Sequence, residues 1–212
     1  MEYMRGLPDN AFDLAIVDPP YGIGQSGENN YRRNNLAVAT NYKPFYGGDL
    51  SPPEVEYFHE LFRVSINQII WGANHFIDRI NKPSPCWIVW DKDNGADFAA
   101  DSELAWTSFK TAVKNFRFRW QGMLQGNMYN KEARIHPTQK PVALYKWLLM
   151  KYSKPGENIL DTHMGSGSSA IAAKQFGCDF VGCEIDKYYY DKAVDRFNNE
   201  TSQVELPLAQ PL

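Results

Sequence analysis

Short apolar runs that stop at a turn or a polar residue set the strongest constraint on this chain. Phe12–Val17 (FDLAIV) ends in Asp-Pro-Pro, and Gln68–Trp71, Cys86–Trp90, Ile159–Asp161 and Phe180–Cys183 are similar runs. Continuous rather than alternating apolar residues suit strands buried on both faces. Between these runs, period and punctuation predict helices over about Pro53 to Ile66, Pro141 to Tyr152 with proline in its first turn, Ser168 to Phe176 closed by Gly177, and Lys187 to Asn199. In the last of these, Tyr190, Ala193, Val194 and Phe197 fall at i, i+3, i+4 and i+7 and are expected to face the core. Strands that alternate with helices predict an α/β fold around a mostly parallel sheet.

Composition narrows the class. With 43% hydrophobic, 14% aromatic and 22% charged residues, the chain is neither disordered, collagenous nor coiled-coil. Its 212 residues fit one compact domain. No run approaches the ~18 apolar residues of a membrane span, and MEYMRGLPDN lacks the regions of a secretion signal. A soluble, cytoplasmic protein with no membrane partner is expected. Cys86, Cys178 and Cys183 contain no paired CxxC and predict reduced thiols and no metal site. His59 and His75 read as surface or core histidines. The net charge of −3 is uneven: Lys110 to Lys140 carries seven basic residues against the single acid Glu132, so this window is +6 and the remainder −9. Within it Phe116, Phe118 and Trp120 alternate with Arg117 and Arg119, a strand pattern with one aromatic and one basic face.

Two segments carry chemistry. Ile159 to Ala170 (ILDTHMGSGSSA) runs from a strand through a glycine turn into a helix, where glycine admits close backbone approach and the helix start presents unpaired N–H groups. Twenty-three residues beyond Asp161 stands Glu184, at the end of the next apolar run, where a carboxylate accepts hydrogen bonds from both hydroxyls of a ribose. An adenosine-containing cofactor is indicated. The spacing Gly165-x-Gly167-x-x-Ala170 also satisfies the loose dinucleotide fingerprint, so a nicotinamide or flavin enzyme competes, and a plain strand-to-helix turn is the simpler alternative. The second segment, Val17-Asp18-Pro19-Pro20-Tyr21-Gly22, ends a strand in a rigid turn that fixes Asp18 and the Pro19 carbonyl and presents Tyr21 as an aromatic platform. Such a site suits a planar base with an exocyclic amine. The amine lone pair is delocalised into the ring until acceptors draw it toward tetrahedral geometry, and Tyr21 would stack the base. A strand-terminating turn is the alternative here. Trp71, Asn74, Trp90 and Asp91 stand at strand ends on the same edge, as candidate walls of a base pocket.

In chain order, Asp18-Pro19-Pro20-Tyr21, His136-Pro137-Thr138-Gln139-Lys140-Pro141, Asp161 to Gly167 and Glu184-Ile185-Asp186 resemble the amino-group DNA methyltransferases of the circularly permuted beta type. The resemblance runs from about Asp9 to Phe197 and implies a three-layer, Rossmann-like α/β methyltransferase fold. It implies a site-specific, restriction-modification type enzyme methylating the N6 amine of adenine in DNA. Adenine is the family tendency where aspartate, not serine, precedes the two prolines. Asp18, Pro19, Pro20 and Tyr21 become the target-amine site. The implied cofactor is S-adenosylmethionine, held by Asp161, Gly165, Gly167, Glu184 and Asp186, with Thr138 and Lys140 at its methionine part. Two features depart from the family. An acid in a Gly-Asp-Cys type segment commonly contacts the cofactor adenine, and this chain begins inside that segment, so a strand and an acid are expected to be missing before Met1. The glycine loop also reads Asp-Thr-His-Met-Gly where the family has proline and phenylalanine, leaving His163 and Met164 to wall the cofactor.

Family members that read a defined site often carry a sizeable insert between the two halves, and here only the basic, aromatic window is available. Arg117, Arg119, Lys131 and Arg134 are the expected phosphate contacts. Arg32, Arg33 and Lys43 belong to a Gly22–Asp49 stretch too long for a routine connection and read as a lid over a flipped base. The expected layout is one domain, 1–212: a target-base half 1–109, a small basic recognition-like segment 110–135, a cofactor half 136–200 and a tail 201–212. DNA is the expected partner, with a homodimer by family analogy. The alternatives are an N4-cytosine or RNA methyltransferase, and a catalytically silent methyltransferase-like subunit that binds nucleic acid.

Overall fold

The structure, a computed structural model, describes residues 1–24, 42–43, 49–95, 100–121 and 124–202. Arg32, Arg33, most of the expected lid and the tail from 203 onward lie outside the described residues. The first half comprises α1 (Glu2–Arg5), β1 (Phe12–Val17), α2 (Val55–Val64), β2 (Ser65–Trp71), α3 (Ile77–Ile80), β3 (Trp87–Asp91), β4 (Ser102–Thr107) and β5 (Lys114–Arg117). The second comprises the short strands β6 (Trp120–Gln121) and β7 (Leu124–Gln125), then α4 (Val142–Tyr152), β8 (Asn158–Asp161), α5 (Ser168–Phe176), β9 (Asp179–Gly182) and α6 (Lys187–Thr201).

Seven strands form one sheet in the order β5-β3-β4-β2-β1-β8-β9. Every strand of it runs the same way except β4, which is antiparallel to both β2 and β3. Neighbouring residues of each strand separate onto the two sheet faces, with Phe12 at the start of β1 the exception to the alternation. Leu14, Ile16, Ile69, Trp71 and Ile159 pack under α4 and α5, whereas Phe12, Ala15, Val17, Ile70 and Leu160 pack under α1, α2 and α3. Helices on both faces make the three-layer α/β architecture expected from the resemblance. Tyr57, Phe58, Leu61 and Val64 give α2 its buried stripe. Glu132 closes the start of α4 by accepting the Val142 N–H.

The chain enters at β1 and builds outward through β2 to β5, then returns to lay β8 on the other side of β1 and β9 beyond it. The carboxyl ends of β1 and β8 are therefore adjacent and lead apart, a topological switch point where open α/β sheets bind ligands. Asp18 follows β1 and Asp161 closes β8.

Two expectations are corrected. The inward stripe of α6 is Tyr189, Ala193 and Arg196, while Tyr190 and Val194 are 45% and 37% exposed. The apolar pattern passed over Arg196 because it is charged. Its guanidinium is buried on an inner face because Ser166, Ser168, Glu132 and Glu200 satisfy it. Strand β4, with a polar start of Ser102-Glu103, had no counterpart among the predicted runs. It inserts between β2 and β3 and supplies the sheet's single reversal.

Candidate active site

The turn after β1 is rigid and densely bonded. Tyr21 OH donates to Asp18 Oδ1 at 2.7 Å, and the Tyr21 ring stacks on His75 with centroids 5.1 Å apart and planes 16° from parallel. Gly72, at the end of β2, makes this possible: at φ +68° it is left-handed, and a Cβ there would lie 2.0 Å from Tyr21 Cε1. Asp49, 6% exposed, closes the following turn by accepting the N–H groups of Gly22 and Ile23 at 2.8 and 3.1 Å. Trp71 and Trp90 are fully buried and form a floor rather than open pocket walls.

Behind Asp18 lies a row of alternating charges. Lys140 Nζ donates to Asp18 Oδ2 and lies 3.0 Å from Glu103 Oε2, while Glu103 Oε1 is 2.5 Å from Lys92 Nζ. Lys140 is 5% exposed, between the rings of Trp71 and Tyr21 at 5.5 and 5.6 Å. Burial pushes the Asp18 carboxyl up and Lys140 draws it back. Glu103 is also pushed up by burial, but Lys140 and Lys92 together outweigh that and hold it at about 2. Lys140 stays charged because its two carboxylates outweigh its own burial. Thus Lys140, expected at the cofactor's methionine part, is engaged in this structure by Asp18 and Glu103.

The segment before α4 joins this row to the glycine turn. His136 is buried against the Tyr189 ring at 4.3 Å and beside Gly165, and burial holds its imidazole down at about 4. Neutral His136 accepts the Thr138 N–H at Nδ1, 3.3 Å away. Gln139 ties the segment down through Ile135 N, Ala133 O and the Trp120 indole.

At the end of β8, Asp161 accepts from His163 N at 3.0 Å and Ser169 Oγ at 2.6 Å, and burial raises its carboxyl to about 7. Gly165 is left-handed at φ +53° with no atom nearer than 3.8 Å to a Cβ built on it, so its backbone rotation rather than crowding calls for glycine. Gly167 starts α5 at φ +75°, against Ala193 of α6. Glu184 bridges the turn and the last helix, accepting from Gly165 N at 2.9 Å and Asp186 N at 2.8 Å. Asp186 itself caps α6 by accepting from Tyr188 N. This donor set discriminates between adenosine cofactors. The Gly165 N–H, which a pyrophosphate would need, is taken by the Glu184 carboxylate, and an acid-lined turn suits a ribose and a cationic group better than a second anion.

The family model for N6/N4 methyltransferases, described as DNA methylase, matches residues 12–195. The chain belongs to this DNA methylase family. It is 26% identical over 244 residues to the type II methyltransferase M.HinfI of Haemophilus influenzae, covering 92% of this chain and 66% of that protein. Among solved structures it resembles TTHA0409 of Thermus thermophilus at a TM-score of 0.60 and 18% identity, covering 96% and 93% of the two chains. TTHA0409 has also been solved in complex with S-adenosyl-L-methionine. The cytosine-N4-specific PvuII DNA methyltransferase gives a TM-score of 0.57 at 12% identity, covering 92% and 82%.

The basic window is less free than its +6 suggests. Arg117 pairs with Asp93 at 2.5 Å and Arg119 with the same carboxylate at 3.3 Å. Arg134 lies 4.2 Å from the Trp120 ring centroid, and Lys131 is exposed. The alternation holds: Arg117 and Arg119 face outward while Phe116, Phe118 and Trp120 pack inward, Phe116 against Trp147. Lys43 sits on α6, its carbonyl accepting from Tyr189 OH and its ammonium 5.0 Å from the Tyr188 ring centroid. Among the described residues no group of three or more His, Cys, Asp or Glu gathers as metal ligands, and no helix is long and apolar enough to cross a membrane. Sequence reasoning missed Glu103, Lys92, Gly72, Asp49 and Arg196. A glycine directly after the Ile-Ile-Trp run was a usable signal for Gly72. Glu103 carried none, because its importance depends on where β4 is inserted.

Proposed function

We propose that this chain transfers a methyl group from S-adenosylmethionine to the N6 amine of adenine in DNA, as a site-specific enzyme of the cytoplasm. One observation carries the reading: a rigidly held Asp18, paired to a buried lysine, stands one strand away from an acid-lined glycine turn, with Leu14 and Ala15 of β1 paired to Ile159 and Leu160 of β8. Family membership supports the reaction class, and aspartate before the two prolines favours adenine. The similarity to the PvuII enzyme keeps N4 of cytosine as the second reading, since both targets are ring-conjugated exocyclic amines.

Asp161, Gly165, Gly167 and Glu184 would hold the cofactor, with Glu184 on the ribose and neutral His136 walling the turn. What S-adenosylmethionine supplies there is an electrophilic sulfonium methyl. Asp18 and the Pro19 carbonyl accept the amine N–H groups, localising the nitrogen lone pair for in-line attack. No strong general base is needed, because the neutral amine attacks and its proton leaves afterwards. Tyr21, held by Asp18, Gly72 and His75, offers its ring to the base. Residues 110–135 serve as the recognition-like segment, with Lys131 among its phosphate contacts.

Methyl transfer from radiolabelled cofactor to unmethylated DNA, followed by nucleoside digestion, tests this directly. Label in N6-methyladenine is expected, label in N4-methylcytosine establishes the second reading, and no label in either overturns both. Asp18→Ala is expected to reduce transfer at least about 100-fold while cofactor binding, measured by calorimetry, persists. Retained transfer removes Asp18 from its role.

A further inference from the structure

The row behind Asp18 contains two charges that the transfer reaction does not itself require. Glu103 and Lys92 are only 21% and 19% exposed at their side chains, and the row reaches Asp18 through Lys140. Placing a carboxylate there takes an unusual arrangement of the sheet. Parallel strands bring their carboxyl ends to the ligand edge, but β4 is reversed, so it delivers its first residues there, with Glu103 paired to Trp90 and Ser102 to Asp91. A glutamate at this position gives Lys140 a second carboxylate partner besides Asp18. The ammonium is then shared between two carboxylates, and Lys92 holds the far oxygen of Glu103, above the Trp90 ring at 5.3 Å.

We infer that Glu103, backed by Lys92, is a positioning residue for methyl transfer: it divides the Lys140 ammonium between two carboxylates and so keeps Asp18 a strong acceptor for the target amine. The inference rests on the role proposed for Asp18. If Lys140 served Asp18 alone, a tight buried ion pair would neutralise the carboxylate that has to accept the amine hydrogen bond. With Glu103 present, the ammonium is held by two carboxylates and a second negative charge acts on Asp18 in a poorly screened interior. The groups acting on Asp18 are Tyr21 from its own turn, Tyr57 on α2, Lys140 ahead of α4, Tyr145 on α4, Asp161 at the end of β8 and Glu103 on β4. Among these Glu103 raises the Asp18 carboxyl and Lys140 lowers it, so removing either charge has a predictable sign.

The test follows the Asp18 carboxyl itself. Full-length chain carrying carbon-13 at its aspartate carboxyls is titrated by NMR, with the Asp18 signal assigned by its absence from Asp18→Asn. In Glu103→Gln, Asp18 is expected to titrate at lower pH than in wild type. In Lys92→Met, where a cation is lost instead, it is expected to titrate at higher pH. Methyl transfer by Glu103→Gln is expected to lose about tenfold or more in kcat, with the cofactor Kd unchanged within about twofold, and Glu103→Asp is expected to recover part of that loss. An Asp18 titration unmoved or moved upward in Glu103→Gln overturns the inference, and so does a downward move with kcat unchanged, because an ion pair that serves stability alone shifts the melting temperature and the nearby titration without touching turnover. Should Glu103→Gln fail to give a cooperative melt, Lys92→Met and Glu103→Asp decide by the same titration. The NMR arm reads out without turnover, so a wild-type chain that transfers no methyl group sinks the proposed reaction while leaving the charge coupling separately measured.

Discussion

Gly72 and Tyr21 share one volume, and only one of them can have a side chain there. The left-handed backbone at Gly72 already costs an L-residue about 1–2 kcal/mol, and an added Cβ would also push into the Tyr21 ring. Gly72→Ala is therefore expected to lower stability by more than the backbone term and to reduce kcat by displacing Tyr21 from Asp18. Thermal melts and steady-state transfer assays check both, and wild-type kcat would show that the ring position is immaterial. Tyr21→Phe is the matched control, since it removes the 2.7 Å bond to Asp18 while keeping the ring. At this scale Asp18, Tyr21 and Lys140 were legible as residues. Their mutual hydrogen bonds were not, because Lys140 stands 122 positions from Asp18 in the chain.

A buried arginine ties helix α6 to the glycine turn. Arg196 donates to Ser166 O at 3.1 Å, Ser168 Oγ at 2.9 Å and Glu132 at 2.9 Å, and so ties the glycine turn to the segment that caps α4. Burial raises the Glu132 carboxyl while the Val142 N–H and Arg196 draw it back. Removing the guanidinium leaves that carboxylate poorly compensated. Arg196→Met is expected to cost about 3–5 kcal/mol in denaturant unfolding and to weaken cofactor binding, read by calorimetry. Adding Glu132→Gln should recover part of the stability loss, because the buried charge goes with it; additive losses in the double mutant would mean the two side chains are not coupled. The helical period located α6 to within two residues of its end, but an apolar stripe cannot reveal an inward arginine.

Across the whole molecule, acid and base pull stability in opposite directions. His136 and His163 are held down at about 4 by burial, so each contributes stability that is present above its unfolded value and lost as pH falls toward 4. Asp161 is raised to about 7, so its contribution is present below its unfolded value and lost as pH rises through 7. Between about pH 7 and the ordinary carboxylate range these slopes oppose one another in the wild type. Asp161→Asn removes the aspartate's slope alone, and its melting temperature is expected to fall more steeply on acidification than that of wild type. Parallel curves for the two proteins would show that Asp161 does not titrate in this range.

Local sequence accounts for the strands β1, β2, β3, β8 and β9, the helices α2, α4, α5 and α6, and the two motifs at their ends. Five apolar runs, four helices and two motifs followed from the period of burial, the φ preferences of glycine and proline, and the acids placed after strands, all of which act over a few neighbouring residues. What those residues do to one another was settled by the tertiary fold. It reversed β4 and brought Glu103 to the ligand edge, laid Lys140 between two carboxylates, turned Arg196 inward, and paired Arg117 and Arg119 with Asp93. Each of these depends on charges far apart in the chain meeting in a medium that screens them poorly, and local pattern carries no record of such meetings.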